Sequence, residues 1–403
     1  MKIFFIALVA ILFGVIGCQN IDYVVIESNS DSCKVLELDP VFGQPILTIG
    51  DLVDTMKVVA LETTSASILS RIKLIKIVGE YIIIKDDYQN GSITLFNING
   101  KFIRRIPHGD GPGEINAVRC FDVDEQFFYV LQYGKVNKYT YAGDFVDSYP
   151  TNMNFHCIKV VDDGFLLCVY PCSSKSGKYE VHHIDKDFKT KNKFVFNHSF
   201  VGYSLSDYFK TLQNDIIFFP SMCNTIYQFD GTQFRPFYVL NYPKYANNFE
   251  TNPDCYSSGL VFQEKHCIKG KYFTEGRIFQ GNGIIFITLS EDGSIPIKIY
   301  IDAKSGKFRS GFIPSRDDVP VWPLKFGVVV CTYDNYFVQT LPPDYYLTVP
   351  NGFDKEHCDY EGKHLEESVS QLQHISDEDK KKILNAKEDD NPLIIMYKLK
   401  SIE

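Results

Sequence analysis

The sequence predicts an all-β fold: a six-bladed β-propeller of four-stranded antiparallel blades, with a short helical insertion near the carboxyl terminus. Three observations lead there. Aromatic residues are 14% of the 403, with 32 Phe and 25 Tyr, a composition that suits strands. Four short strands joined by tight turns fit between Ile72 and Ile106. The last hairpin of that unit then recurs, turning at Gly100, Gly143, Lys186, Gly231 and Gly306, in steps of 43, 43, 45 and 75 residues. A period in the forties is the length of one four-stranded blade.

The first 17 residues stand apart from this pattern. Lys2 precedes an apolar run from Ile3 to Ile16, and Val15-Ile16-Gly17-Cys18 follows. The stretch resembles a bacterial lipoprotein signal, in which the chain is cut before the Cys and its thiol takes a diacylglycerol. Small Gly17 suits the cleavage pocket, and Cys18 supplies the thiol for the thioether. An ordinary secretory signal or a membrane anchor are the alternatives, although the run is short for a bilayer-spanning helix of about 20 residues. Residues 18–55 then read as a lipidated tether and lead-in carrying one or two strands, and residues 56–403 as the propeller.

Within the propeller, Ile72 to Ile77, Tyr81 to Lys85, Ser92 to Asn97 and Lys101 to Ile106 are the strands of the first blade. Asn99-Gly100 is the pair preferred in a two-residue hairpin turn with positive φ at both positions. The 75-residue step implies an insertion of about 30 residues beyond the blade period, placed at about 242–275, where the chain is polar and aromatic. A sixth blade follows from Trp322, with strands at Phe326 to Thr332 and Tyr336 to Leu341. It is interrupted by a charged segment, about 362–387, that reads as two short helices, at Leu365 to Leu372 and Asp377 to Ala386. Ser376 followed by Asp379 has the spacing of a helix-capping pair. Asn391 to Leu399 is the last strand, expected to pair in its own blade beside a strand from the amino-terminal end, so that the ring closes and hides its edges.

The formal net charge of −9 argues against a nucleic-acid partner, which needs a basic face. Beyond the leader, no stretch is long and apolar enough to span a bilayer. The 11 cysteines are spread thinly, unlike the framework of a small stapled domain. Most read as buried strand thiols, with Cys168/Cys172 and Cys255/Cys267 the nearest candidates for bridges.

Motifs that would announce chemistry are weak. Gly109, Gly111, Pro112, Gly113 and Glu114 form a Gly/Pro-rich corner, but a phosphate loop needs a following helix, and here another strand follows. Glu114 is expected to accept backbone hydrogen bonds across the corner. His182-His183-x-Asp185 looks like a metal cluster, yet adjacent strand residues point to opposite faces, and two ligands are too few. The chain contains no HExxH, CxxC or Gly-x-Ser-x-Gly motif. Tyr208, Tyr242, Tyr245, Phe249 and Trp322 sit among polar neighbours and are candidate binding aromatics, the alternative being rings wedged between blades.

Leu61-Glu62-Thr63, Phe96-Asn97-Ile98-Asn99-Gly100-Lys101-Phe102, Gly109-Asp110-Gly111-Pro112-Gly113-Glu114 and Glu388-Asp389-Asp390-Asn391-Pro392-Leu393 together resemble the six-bladed β-propeller lipoproteins of Bacteroidetes, themselves similar to NHL-repeat propellers. The resemblance covers nearly all of the chain beyond the leader. It implies the fold and an exported, lipid-anchored location, and it names no activity. The expected role is a binding or protein-interaction module at the cell envelope, tied to the membrane through lipid on Cys18, with a glycan, a peptide or an envelope protein as partner and with no cofactor. The alternative is a metal-assisted hydrolase or lyase working in the central channel, whose catalytic residues sequence does not name. Surface-exposed lipoproteins of this bacterial group often carry acids directly after the Cys. Here Gln19-Asn20-Ile21 follows, which favours the periplasmic face of the outer membrane.

Overall fold

The computed structural model describes residues 23–26, 33–43, 52–87, 91–197, 207–246, 269–291, 297–311, 329–342, 366, 369–370 and 372–402. They form six antiparallel sheets. Blade 1 comprises Ile72–Val78, Tyr81–Asp86, Ser92–Asn97 and Phe102–Arg105. Blade 2 comprises Cys120–Val123, Phe127–Gln132, Lys135–Thr140 and Phe145–Pro150. Blade 3 comprises Cys157–Val161, Gly164–Val169, Glu180–Asp185 and Thr190–Phe196. Blade 4 comprises Phe209–Leu212, Asp215–Phe218, Thr225–Phe229 and Phe234–Asn241. Blade 5 comprises Phe273–Gly281, Ile284–Ser290, Ile297–Asp302 and Phe308–Gly311. Blade 6 comprises Val329–Tyr333, Tyr336–Leu341, Leu393–Leu399 and, as its outer strand, Val53–Ala60 from the amino-terminal side.

The first strand of each blade touches the first strand of the next, and the sixth touches the first, so the ring is closed around a channel. Closure joins the two ends of the chain by strand pairing: Leu393–Leu399 pairs antiparallel with Val53–Ala60, in register from Leu393 against Ala60. The expected pairing of the last strand beside an amino-terminal one is therefore present. Because strands alternate in direction, the turns joining strands 1 to 2 and 3 to 4 lie on one face, here called the hairpin face. The longer connections lie on the other. Between blades, buried aromatic rings interlock: Tyr129 packs edge-on against Phe165 at 5.0 Å, and Phe196 meets Phe218 at 4.6 Å. Such pairs add to area burial because of ring geometry.

The lead-in is built into the ring more deeply than a boundary at residue 56 implies. Tyr23–Ile26 adds a fifth, parallel strand to the outer edge of blade 3, and Lys34–Glu37 does the same for blade 4. The Asp39–Gly43 turn then covers blade 5, with Phe42 stacked on Tyr245 at 4.0 Å. The outer edge of blade 6 is covered by the carboxyl-terminal insertion: the Met56 amide donates to the His374 carbonyl at 2.7 Å, and Lys382 donates to that of Val58 at 3.1 Å. Outer strands are thus shielded where an exposed edge would recruit another chain.

The helix of that insertion runs Asp377–Asn385, and Ser376 Oγ accepts from the Asp379 amide at 3.1 Å, as the capping spacing implied. The earlier helix expected at Leu365 to Leu372 falls mostly outside the described residues. The Asn99-Gly100 turn differs from expectation. Gly100 alone has positive φ, and the Asn97 carboxamide accepts from the amides of Asn99 and Lys101, so the loop is longer than two residues. A Cβ on Gly100 would lie 2.1 Å from the Ala60 carbonyl oxygen, which is why blade 1 can close against blade 6 only with glycine here. Cys168 is a free, buried thiol and forms no bridge to Cys172; Cys255 and Cys267 lie outside the described residues.

Candidate functional site

The channel is lined by the six first strands, which are apolar runs each bearing a charge or thiol near its middle. Lys76 from blade 1, Asp122 from blade 2, Lys159 from blade 3, and Asp207 and Lys210 at the start of blade 4 converge there. Lys76 Nζ lies 2.7 Å from Asp122 Oδ1 and 3.3 Å from Asp207 Oδ2. Lys159 Nζ lies 3.1 Å from Asp122 Oδ2, which also accepts from the Val160 amide at 2.7 Å. Lys210 Nζ lies 3.6 Å from Asp207 Oδ2 and donates to the Asp207 carbonyl at 2.6 Å. The cavity they enclose with neighbouring apolar residues is about 150 Å³.

Burial disfavours charge on Asp122, Lys76 and Lys210, and the arrangement of opposite charges decides the outcome. For Asp122, the ammonium groups of Lys159 and Lys76 overcome burial and hold the carboxyl at about 2. For Lys76, the two carboxylates overcome burial and hold the amine above the usual lysine range. For Lys210 burial prevails and lowers the amine, Asp207 offsetting only part of it. By formal charge three lysines face two aspartates, an excess of one among the described residues in a chain that is acidic as a whole.

A larger groove, about 690 Å³, opens on the hairpin face between blades 2 and 3 and runs into the channel mouth, sharing Val123, Lys159 and Thr211 with the channel cavity. Its apolar wall is a run of rings across the blade boundary. Tyr129 packs on Phe165, Phe165 on Phe188 at 4.9 Å, and Phe188 stacks on Tyr149 at 4.3 Å and 7°. Lys138 Nζ sits 3.7 Å from the centre of the Phe127 ring, a cation–π contact. Asp124 shapes the rim: its carboxylate accepts from the amides of Gln126 and Phe127, each at 2.7 Å, and from the Tyr129 hydroxyl at 2.8 Å. Glu125, Gln126, Asp162 and Lys186 stand exposed around the mouth. The volume falls in the range of small-molecule sites, and the mixture of ring faces with a few polar groups is what such sites use for orientation.

The residues singled out from sequence fall elsewhere. Tyr242 is 2% exposed and gives its hydroxyl to Asn224 at 2.8 Å; Tyr208 is buried, and Tyr245 is stacked on Phe42. Tyr208 and Tyr242 are wedged into the ring, while Tyr245 keeps a part-exposed ring. Phe249, Trp322 and Cys18 lie outside the described residues. The corner does what Glu114 was expected to do: its Oε2 accepts from the Gly111 amide at 2.9 Å, and a Cβ on Gly109, at φ +153°, would fall 2.0 Å from that oxygen. His182 and His183 diverge, one toward Glu180 at 3.5 Å and the other toward Asp163 at 2.9 Å.

Among the described residues, no three His, Cys, Asp or Glu side chains come together as a metal site requires. The described channel wall presents three ammonium groups instead, which oppose an incoming cation. Sequence reasoning missed the groove because its members come from three blades, each unremarkable within its own strand.

Residues 33–398 match the family described as Domain of unknown function (DUF4934). No curated protein matches the chain. Among solved structures, a protein of Bacteroides fragilis assigned as exported is similar over 94% of this chain and 100% of its own, at 16% identity and a TM-score of 0.65. A protein of unknown function from Bacteroides caccae is similar over 69% of this chain and 97% of its own, at 12% identity and a TM-score of 0.39. The first of these likenesses is one of fold.

Proposed function

The chain belongs to the DUF4934 family, a membership that carries a fold and no stated activity, and we propose that it is a non-catalytic ligand-binding module whose site is the groove between blades 2 and 3. The observation that carries this reading is the groove itself: about 690 Å³, walled by aromatic rings, rimmed by charged side chains and continuous with the channel mouth. A rigid closed ring suits such a task, since a groove built on paired strands is pre-shaped and loses little conformational freedom on binding. The place of work is the cell envelope, on the periplasmic side, with Cys18 as the lipid attachment point. What supports this is the leader with Gly17-Cys18 and the exported assignment of the B. fragilis protein of like fold.

The test is binding of the purified protein to glycan and peptide arrays, beside a Gln126→Trp variant. Gln126 is an exposed turn residue whose replacement by an indole fills the groove mouth without touching the core. Ligands that bind the native protein and not the variant support the reading; ligands that bind both equally place the site elsewhere. Incorporation of labelled palmitate in cells, and its loss in Cys18→Ala, checks the anchor.

A further inference from the structure

We propose that the groove takes a saccharide bearing a single carboxylate, with the sugar ring against the aromatic wall and the carboxylate at Lys159. This rests on the groove being the binding site, and it adds the chemical class of the ligand.

Three observations lead to it. The first is the place of Lys159, which lines both the groove and the channel cavity. Its ammonium group has one carboxylate partner, Asp122 at 3.1 Å, and three N–H bonds to give, so it can hold Asp122 and still donate to a ligand. Lys76 beside it already spans two carboxylates, and Lys210 is turned onto the Asp207 and Phe209 carbonyls.

The second is charge. Lys76, Lys159 and Lys210 against Asp122 and Asp207 leave one positive charge in excess among the described residues at the deep end. One carboxylate placed there balances it, and in a site walled by protein that pairing is worth more than in open water. A second negative group on the ligand would instead lie toward Glu125 and Asp162 at the mouth and be repelled.

The third is the pairing of donors and acceptors along the groove. Glu125 and Asp162 offer acceptors, Lys138 and Lys186 offer donors, and the wall offers ring faces. Sugar hydroxyls both donate and accept, so one face of a pyranose can satisfy both kinds of group while its C–H face lies on the part-exposed ring of Tyr149. A peptide adding itself as a strand would need open backbone edges, and the strands that border this groove are paired within their blades.

The experiment compares uronic-acid- and sialic-acid-terminated oligosaccharides with their carboxyl-reduced counterparts by titration calorimetry at low and high salt. The native protein is expected to bind an acidic member about tenfold more tightly than its reduced form, as one charge-assisted hydrogen bond provides. That margin is expected to shrink as salt rises. Lys159→Met removes the margin, Lys159→Arg keeps most of it, and Gln126→Trp removes binding of both forms. The native comparison stands even where Lys159→Met fails to fold. Equal binding of acidic and reduced forms overturns the carboxylate assignment while leaving the groove as a saccharide site. Binding that Gln126→Trp leaves intact overturns the assignment together with the groove reading, and no saccharide binding at all overturns the assignment alone.

Discussion

The Asn391 side-chain amide donates to the Glu62 carbonyl at 2.9 Å, across 329 residues of sequence. The same side chain donates to the Ser67 carbonyl at 3.0 Å and accepts from the Leu69 amide at 2.7 Å. Its own backbone amide donates to Thr63 Oγ1 at 2.8 Å. One buried carboxamide thus ties the start of the last strand to the turn that follows the ring-closing outer strand. Replacing Asn391 by Ala strips the Leu69 amide and the Ser67 carbonyl of this partner, while the Glu62 carbonyl keeps the Ser67 hydroxyl at 2.7 Å. The expected cost is about 2–4 kcal/mol, read as a lower midpoint in chemical denaturation. A loss under about 0.5 kcal/mol, the size of an ordinary surface change, would mean that the ring is held shut elsewhere.

The channel ion pairs set an acid limit on stability. Asp122 is held at about 2 against an ordinary value of 3.8, so its carboxylate stabilises the folded state fully above pH 4. That contribution is lost as pH falls through the folded value. At 1.36 kcal/mol per pH unit it is about 2 kcal/mol. Asp122→Asn flattens this window in a melting-temperature profile. It also lowers stability at neutral pH, because Lys76 and Lys159 lose their shared partner.

His182 and His156 act in a higher window. Burial holds both at about 4, below the ordinary 6.5, with Lys193 and Arg119 respectively adding to the effect. The folded state therefore favours the neutral rings. The stabilisation is present above pH 6.5 and fades as pH falls toward 4. His182→Gln is expected to reduce the slope of melting temperature against pH between those limits and to leave the Asp122 window unchanged.

Much of this fold is legible in the chain. The turns at Gly100, Gly143, Gly231 and Gly306 carry positive φ and close the third-to-fourth-strand hairpins where the repeat placed them. Local chemistry marks them, because glycine tolerates that backbone region and a short hairpin demands it. The lead-in was expected to carry one or two strands, but where Tyr23–Ile26 and Lys34–Glu37 attach is not legible, since four residues of mixed character say nothing about which edge they will meet. The site was hidden for a related reason. Lys76, Asp122 and Lys159 each look like an ordinary strand residue, and only the ring brings them within 3.1 Å of one another's charged atoms. One signal was available: each is a charge set among apolar neighbours in the first strand of its blade, at the middle of a run that faces no solvent layer of its own.

The added outer strands make a further prediction. Deleting residues 1–37 leaves the ring-closing Val53–Ala60 strand in place and uncovers the outer edges of blades 3 and 4. The shortened protein is expected to melt cooperatively yet associate with rising concentration, as bare edges do. Light scattering across a concentration series reads it, and a strictly monomeric product would show that the two strands are dispensable covers.

At the corner, Gly109→Ala forces a methyl group into Glu114 Oε2. Its expected cost is about 1–3 kcal/mol from displaced packing and strain, seen as a lower melting temperature. Saccharide affinity is expected to stay unchanged, because none of Gly109 to Glu114 lines the groove.

The most direct measurement of the central claim is hydrogen exchange of the full chain with and without a saturating array ligand. Binding in the groove predicts slowed exchange in the turns around Gln126 and Asp162 and at Lys159 and Val160, with the Gly109–Glu114 corner unchanged. Protection confined to the Gly109–Glu114 corner, with the two hairpin turns exchanging as before, would contradict it.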